Sequence, residues 1–104
     1  MESYKIEITD RANSDIVNIY LYIASTLKEP VIALNQIDRI EAAIDSLATL
    51  PERIALVSDP DLANEGYRKL LVDNYYVFFK IDLNKSIIMI IRILYARRDW
   101  QSII

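Results

Sequence analysis

The chain of 104 residues contains no cysteine and no histidine. Without cysteine it has neither a disulfide framework nor a thiolate metal site. Without histidine it lacks the commonest general base and the commonest metal ligand at neutral pH. A Ser-His-Asp triad, a zinc site and a histidine-dependent ribonuclease are therefore excluded, and we expect no metal and no cofactor.

Long apolar runs are also missing. The run from Ile87 to Ile91, for example, has the length of a β-strand, whereas a membrane span needs about 20 apolar residues. The N-terminal stretch Met1–Lys5 has no basic start followed by an apolar segment, so we expect no signal peptide and a cytoplasmic location. With 53% hydrophobic and 26% charged residues, the whole chain, 1–104, is predicted to form one domain with a packed core.

Positive charge is scarce and unevenly distributed. The net charge is −3, but residues 1–66 carry 5 basic and 12 acidic residues, whereas residues 67–104 carry 7 basic and 3 acidic residues. This asymmetry favours an acidic partner for the C-terminal third. The alternative is an accident of small numbers.

The first half of the chain predicts a strand followed by two helices. Tyr4–Ile8 alternates polar and apolar residues, and Thr9 or Asp10 is the candidate N-cap of the first helix. A second helix is predicted to begin at Pro30 and to end before Pro51, and the short link between the two favours an antiparallel hairpin. Apolar stripes with helical spacing mark the buried faces: Ala12, Ile16, Ile19, Tyr20, Ile23 and Leu27, then Ala33, Ile37, Ile40, Ile44 and Leu47.

The last third predicts three strands, Tyr67–Val72, Tyr75–Asp82 and Ser86–Ala96. Asp73-Asn74 and Asn84-Lys85 suit two-residue hairpin turns. The unbroken apolar run of the third strand predicts a central position in the sheet. The predicted fold class is α+β, in the order β-α-α-β-β-β, with a helical hairpin packed on one face of a mainly antiparallel sheet.

Two shorter segments complete the prediction. Residues 52–66 are expected to be irregular, with a turn at Ser58–Asp61 and a left-handed backbone at Gly66. After the last strand, three apolar residues with helical spacing predict a short C-terminal helical turn that docks on the fold: Trp100, Ile103 and Ile104.

Two-residue turns would divide the strand side chains between two faces. One is nearly all apolar and should be covered by the helices: Arg68, Leu70, Val72, Tyr75, Val77, Phe79, Ile81, Ile88, Ile90, Arg92 and Leu94. The other mixes aromatic residues and cations, as an uncovered interaction surface would: Tyr67, Lys69, Leu71, Tyr76, Phe78, Lys80, Met89, Ile91, Ile93, Tyr95 and Arg97.

Arginines, lysines and tyrosines supply the candidate functional residues. A buried Arg92 needs a carboxylate, so it is either a structural partner of a helix acid (Asp15, Asp38 or Asp45) or a functional group reached from the sheet end. Arg97 and Arg98 precede the C-terminal turn, where cations oppose the helix dipole, and they are either functional or simply solvated.

The chain has seven tyrosines, and their positions suggest different roles. Tyr20 and Tyr22 are assigned to packing of the first helix. Tyr67, Tyr76 and Tyr95 belong to the mixed face, where they would stack on bases or fill the groove of a partner. Partial burial with the hydroxyl group in water is the simpler explanation of the same pattern.

A series of sequence phrases carries a family resemblance: Tyr4–Ile8, Asp15–Ile23, Ile40–Leu47, Leu50–Arg53, Gly66–Val72, Tyr75–Lys80 and Arg92–Trp100. In their order and spacing they resemble the RelE/ParE superfamily of bacterial toxins, in particular its ParE-like (plasmid stabilisation) branch. The resemblance implies a growth-inhibiting toxin of a type II toxin–antitoxin system, neutralised by a cognate antitoxin whose C-terminal segment wraps it. ParE-like members act on DNA gyrase, whereas RelE-like members cut messenger RNA on the ribosome.

The chain departs from both branches at particular residues. Tyr76 stands where both branches carry arginine, and Tyr95 stands where ParE-like members commonly have histidine. Ile103 stands where a RelE-like nuclease would place a tyrosine. Cleavage of RNA needs a base and cations, and this sequence has the cations without an obvious base.

We therefore predict a non-enzymatic ParE-like toxin that inhibits DNA gyrase, with no membrane partner and either as a homodimer or in a hetero-oligomer with its antitoxin. No catalytic residue is assigned. The alternatives are a ribosome-dependent endoribonuclease and a degenerate toxin that survives as a binding module. The negative net charge favours a protein target over nucleic acid. The candidate target-binding residues are Lys69, Tyr76, Lys80, Tyr95, Arg97 and Arg98, of which the endoribonuclease would use the four cations as phosphate clamps.

Overall fold

The computed structural model describes residues 3–104 and contains a four-stranded sheet. The strands are β1 (Lys5–Ile8), β2 (Arg68–Val72), β3 (Tyr75–Asp82) and β4 (Ile87–Tyr95). Their order in the sheet is β1-β4-β3-β2; β1 runs parallel to β4, and the other neighbouring strands are antiparallel. The predicted α+β architecture and the central position of β4 are confirmed. Met1 and Glu2, which belong to the predicted domain 1–104, lie outside the described residues.

A helical hairpin covers one face of the sheet. It consists of α1 (Asp10–Leu21), a π-helical turn (Tyr22–Thr26) and α2 (Pro30–Ser46). The predicted cap is confirmed, since the Thr9 hydroxyl accepts a hydrogen bond from the backbone N–H of Ala12 at 3.2 Å, which satisfies one free donor of the first turn. Within residues 3–104, no helix combines the length and the apolar character that a membrane span requires.

The π-helical turn exposes residues that the sequence pattern placed in the interior. It closes with a hydrogen bond of 3.0 Å from the Leu27 N–H to the Tyr22 carbonyl, one residue wider than an α-helical turn. Ile23 is buried, as predicted, but Leu27 is 50% exposed and Tyr22 is 54% exposed. The predicted burial of Leu27 and the assignment of Tyr22 to packing are therefore wrong.

The main core lies between the hairpin and the sheet. Alternate residues of β3 and β4 point towards the helical hairpin and form one cluster with residues of the predicted apolar stripes. The fully or almost fully buried members are Ala12, Ile40, Ile44 and Leu47 from the helical segments and Val77, Phe79, Ile88, Ile90 and Ile93 from the sheet.

A β-bulge in β4 changes the predicted distribution of side chains. Phe79 pairs with Ile90, but the preceding residue of β3, Phe78, pairs with Arg92 rather than with Ile91, so Ile91 is the extra residue. An extra residue reverses the inward and outward alternation of the strand beyond it. The apolar run contains no glycine or turn residue that would have indicated the bulge.

Three residues beyond the bulge therefore lie on the opposite face from the predicted one. Ile93 enters the core under the helices, whereas Leu94 joins the cluster on the other side of the sheet. Tyr95 lies on the helix side, where its ring contacts that of Tyr75 with a centroid separation of 5.9 Å.

The two hairpin turns differ in length. Asp73-Asn74 is the predicted two-residue turn, since Val72 pairs with Tyr75. The second turn has four residues, Leu83 to Ser86, rather than only Asn84-Lys85, because the last pair joins Asp82 and Ile87. The register next to this turn is nevertheless the one that the shorter loop implies.

The opposite face of the sheet, called the far face below, is covered rather than open. A short helix, α3 (Pro60–Asn64), forms where only a turn was predicted, and the predicted C-terminal turn is a 3₁₀ helix at Trp100–Ser102. Asp59 caps α3 by accepting hydrogen bonds from two backbone N–H groups. These segments enclose a second cluster of buried residues: Val57, Phe78, Leu94 and Trp100.

Candidate functional site

The six predicted target-binding residues do not form one site. Lys69, Tyr76 and Lys80 are partly buried on the far face, among the residues of the second cluster. Tyr95 and Arg98 line a cleft on the helix side. Arg97 is exposed beyond the end of β4. The β-bulge accounts for this division, because it moves Tyr95 to the other face.

Both lysines of the far face lie on aromatic rings. Lys69 Nζ is 4.4 Å from the ring centroid of Tyr76 and 4.6 Å from that of Trp100. Lys80 Nζ is 4.4 Å from the ring centroid of Tyr67. Such cation–π contacts stabilise by about 0.5–1 kcal/mol each at exposed sites. A phosphate or a partner that uses these ammonium groups must therefore compete with the rings.

Arg92 is held by an ion pair with Asp15 of α1. Its Nε lies 2.7 Å from Asp15 Oδ2 and its Nη2 lies 2.9 Å from Oδ1, and the Ile93 N–H also donates to Oδ2 at 2.9 Å. The two side chains are only 13% and 11% exposed. The hydrogen bond to Asp15 is the main reason why the pKa of Arg92 is raised. The pair ties α1 to β4 at the bulge.

A cleft of about 840 Å³ lies between the hairpin and the end of the sheet where β4 finishes. It is the place where the helix-side candidates meet residues that the sequence did not single out for function. The hairpin supplies Asn18, Tyr22, Leu27, Ile32 and Gln36, and the sheet side supplies Asn74, Tyr75, Tyr95 and Arg98, together with the Arg92–Asp15 pair.

The walls of the cleft combine aromatic and aliphatic surface with a few polar groups. Tyr75 and Tyr95 pack edge to face, and Tyr22, Leu27 and Ile32 are each half exposed. Burial raises the pKa of Tyr75, and the neighbouring Tyr95 and Tyr22 add to this effect. The Tyr75 phenol is therefore neutral at physiological pH and carries a proton that it can donate in a hydrogen bond. Together with the Arg98 guanidinium, these walls suit a protein segment with apolar side chains and a carboxylate.

The cleft has no arrangement that resembles a metal centre, since residues 3–104 contain no group of three or more Asp or Glu side chains that could hold a metal ion. RNA cleavage would need a group that accepts the 2′-hydroxyl proton. A tyrosine with a raised pKa is a poor base at neutral pH, because its ionised form is rarer.

The comparison with protein families identifies the chain. Residues 6–100 match the family described as ParE toxin of type II toxin–antitoxin system, parDE. The chain belongs to the ParE toxin family. The predicted resemblance is thereby confirmed, whereas no curated protein matches the sequence significantly.

Solved structures show the same fold for this ParE-family chain. The chromosomal ParDE toxin–antitoxin system of P. aeruginosa is similar with a TM-score of 0.75 and 21% identity, over 91% of this chain and 98% of that one. The RelBE2 toxin–antitoxin complex of Mycobacterium tuberculosis has a TM-score of 0.63 and 18% identity, over 89% and 98%. A free double mutant of E. coli toxin RelE has a TM-score of 0.64 and 14% identity, over 94% and 88%.

Sequence reasoning missed most of the cleft. Leu27 was placed in the interior because its spacing fits a continuous α-helix, and it follows the π-helical turn, which adds one residue to the spacing. Tyr22 was assigned to packing although it lies off the apolar stripe. Ile32 lies just after Pro30, off the buried stripe of α2, and this position was the one available indication that it is exposed. The predicted helix-covered face already contained Tyr75, and the structure confirms this placement. Nothing in the sequence brings Asn74 to the hairpin.

Proposed function

We propose that this ParE-family protein is a toxin that inhibits DNA gyrase without catalysis of its own, and that a cognate antitoxin neutralises it by occupying the cleft. The match to the ParE toxin family over residues 6–100 carries this proposal. Two of the similar solved structures are described as toxin–antitoxin systems or complexes, which supports an antitoxin as partner.

We propose that the antitoxin binds in the cleft because the apolar walls of the cleft are exposed. Tyr22, Leu27 and Ile32 each leave about half of their surface in water, and apolar surface gathered around a concave site is typical of a binding groove. An amphipathic segment would cover these walls, and an acidic side chain on it would pair with Arg98.

Charge and contacts favour a protein target over RNA. The net charge is −3, and Lys69 and Lys80 are engaged by aromatic rings. Arg97 and Arg98 remain exposed beyond β4. We propose these two arginines and Tyr95 as the principal contacts with gyrase. Tyr76, Lys69 and Lys80 form a further surface, which can contact gyrase only if the two lysines leave the aromatic rings on which they lie.

The test is a gyrase assay with the purified protein and with its R97A/R98A variant. We expect the unmodified protein to inhibit supercoiling or to stabilise the cleavage complex, and the double variant to lose at least about 10-fold in potency, as expected when interface anchors are removed. The matched control is K85A, which removes an exposed cation in the β3–β4 turn. Supercoiling and cleavage that the unmodified protein leaves unchanged would refute gyrase inhibition.

The second candidate function is that of a ribosome-dependent endoribonuclease, and it is suggested by the similarity to the solved RelE and RelBE2 structures. This candidate predicts codon-positioned cuts in messenger RNA on translating ribosomes, which R97A would abolish. Intact transcripts would exclude it. If expression without antitoxin leaves growth unaffected as well, the chain is a binding module that has lost its toxicity.

A further inference from the structure

The bulge in β4 lies at the point where β1 ends and no longer pairs with the strand. The last pair between the two strands joins Ile8 and Ile90, and the extra residue, Ile91, follows immediately. Beyond Ile90, no strand of the described chain lies along the outer edge of β4. The backbone groups on that edge therefore need other hydrogen-bond partners.

The N-cap residue of α1 bonds to β4 directly at the bulge. The Thr9 N–H donates a hydrogen bond of 3.1 Å to the Ile90 carbonyl, and the Thr9 hydroxyl donates one of 3.0 Å to the Ile91 carbonyl. The same hydroxyl caps α1 by accepting from the Ala12 N–H. The carbonyl of the extra residue, which has no partner residue in β3, is thereby satisfied.

Asp15 bonds to the two residues that follow the extra one. Its carboxylate accepts two hydrogen bonds from the Arg92 guanidinium and one of 2.9 Å from the Ile93 N–H. Both side chains of the ion pair are largely shielded from water, where a hydrogen bond is stronger than at an exposed site.

The bond to the Ile93 N–H is possible only in the bulged register. In a regular strand, the backbone groups of alternate residues point to the same edge. The Ile90 carbonyl points to the outer edge, where it accepts from Thr9. Without the extra residue, Ile93 would lie three positions later in a regular strand and would direct its N–H to β3. Asp15 therefore distinguishes the two registers through a backbone bond, independently of side-chain packing.

The apolar side chains of β4 give little preference between the registers. Without the bulge, Ile93 and Leu94 would exchange faces, and each would enter the cluster that the other now occupies. Exchanges between apolar residues of similar volume are tolerated well. Arg92 would lie opposite Val77, which is fully buried, and its charge would be costly there. Arg92 thus also disfavours the regular register, and a test of Asp15 must remove this contribution.

We propose that Asp15, assisted by Thr9, is a positioning residue of the cleft: it selects the bulged register of β4 and so brings Tyr95 to the hairpin beside Tyr75. The contact between the two tyrosine rings forms part of the cleft wall, and in the regular register Tyr95 would lie on the far face. The inference rests on the proposed function for the use of the cleft, whereas the register itself depends on no partner.

The experiment compares two matched variants of the full chain by NMR, D15N/R92M and D15A/R92M. Both remove the ion pair without leaving a buried charge unpaired, and only the first keeps an amide oxygen that can accept the Ile93 N–H. We expect nuclear Overhauser effects between the rings of Tyr75 and Tyr95 in the unmodified protein and in D15N/R92M, and their loss in D15A/R92M. The ratio of bulged to regular register should fall about 10-fold when the acceptor is removed.

Amide hydrogen exchange identifies the register that each variant adopts. In the bulged register the Leu94 N–H points to β3 and should exchange slowly, whereas the Tyr95 N–H points to the outer edge and should exchange fast. In the regular register the two amides exchange these directions. We expect the first pattern in D15N/R92M and the reversed pattern in D15A/R92M.

Deletion of Ile91 provides an independent test. Without this residue, a regular strand places residues 92–95 where the bulge now places them, so the deletion in D15A/R92M should restore the contact between the tyrosine rings. A ring contact that persists in D15A/R92M would overturn the proposal. So would an equal loss in D15N/R92M, or a deletion that does not restore the contact. The gyrase assay separates the two proposals, because gyrase that the unmodified protein leaves unaffected refutes the proposed function alone.

Discussion

The two faces of the sheet hold their cations in different ways. On the helix side, Arg92 is paired with a carboxylate beneath a continuous helical hairpin. On the far face, Lys69 and Lys80 lie on aromatic rings, under a cover made of a short helix and a 3₁₀ turn. Neither arrangement leaves the cation free, and the exposed Arg97 and Arg98 lie beyond both. A basic residue within a strand is therefore a weaker indication of a binding site than a basic residue after it.

The largest expected effect compares the two cores. Phe79 and Phe78 are adjacent and both fully buried, one under the helices and one on the far face. We expect F79A to lower the free energy of unfolding by about 4 kcal/mol and F78A by about 3 kcal/mol, because short irregular segments collapse more easily into a cavity than a helical hairpin does. Urea denaturation of both variants measures the difference. A larger loss for F78A would show that the far face is the more rigid one.

The ion pair gives the next largest effect. D15A removes the partner of Arg92 and an acceptor of the Ile93 N–H, and leaving a buried charge unpaired costs about 3 kcal/mol. The control is D73A, which breaks the pair with Arg39, a side chain that is 66% exposed and returns to water. We expect the stability of D73A to change much less. Equal losses in urea denaturation would mean that Arg92 finds water or another acceptor once Asp15 is removed.

The ring contacts of the far face should contribute less than the ion pair. K69M keeps the aliphatic stem but removes a charge that lies on two rings, and we expect a loss of about 1 kcal/mol. K80M removes a charge that lies on one ring, and we expect about 0.5 kcal/mol. Trp100 provides a second readout, because its fluorescence should change in K69M and stay constant in K80M. Similar losses of stability in both variants would contradict the expectation that a lysine on two rings contributes more than a lysine on one.

The smallest effect is the response of the helix side to acid. The hydrogen bond from Arg39 is the main cause of a pKa of Asp73 below its ordinary value of 3.8, and Gln36 donates a second bond. A lowered pKa means that the ionised group stabilises the fold above its ordinary pKa and that this contribution is lost as the pH falls through the folded value. Stability of the unmodified protein should therefore fall more steeply below about pH 4 than that of D73N. Parallel pH profiles from urea denaturation would exclude a role for this pair.

Local sequence signals predicted much of the frame. Thr9 before an apolar stripe, Pro30 at a helix start and Asp73-Asn74 between two alternating runs each act through a few neighbouring residues. Their effect depends on local backbone geometry and, for Thr9, on one hydrogen bond from its side chain to a nearby backbone N–H. The candidate site was less predictable, because it depends on the positions of two backbone irregularities, the β-bulge in β4 and the π-helical turn, each of which accommodates one extra residue. Neither the bulge at Ile91 nor the π-helical turn after Leu21 carries a distinctive residue.

The amino-acid sequence by itself determined the order of elements, the buried stripe of α2, the register of the hairpins next to their turns and the membership of the ParE toxin family. The first three follow from spacing and turn chemistry, which are local, whereas the family membership rests on the match over residues 6–100. Only the tertiary structure decided that the far face is covered, that Tyr95 faces the hairpin and that Leu27 and Tyr22 are exposed. The physical reason is that a strand of uniformly apolar residues can present either face to the core at similar cost, so that long-range packing selects the register.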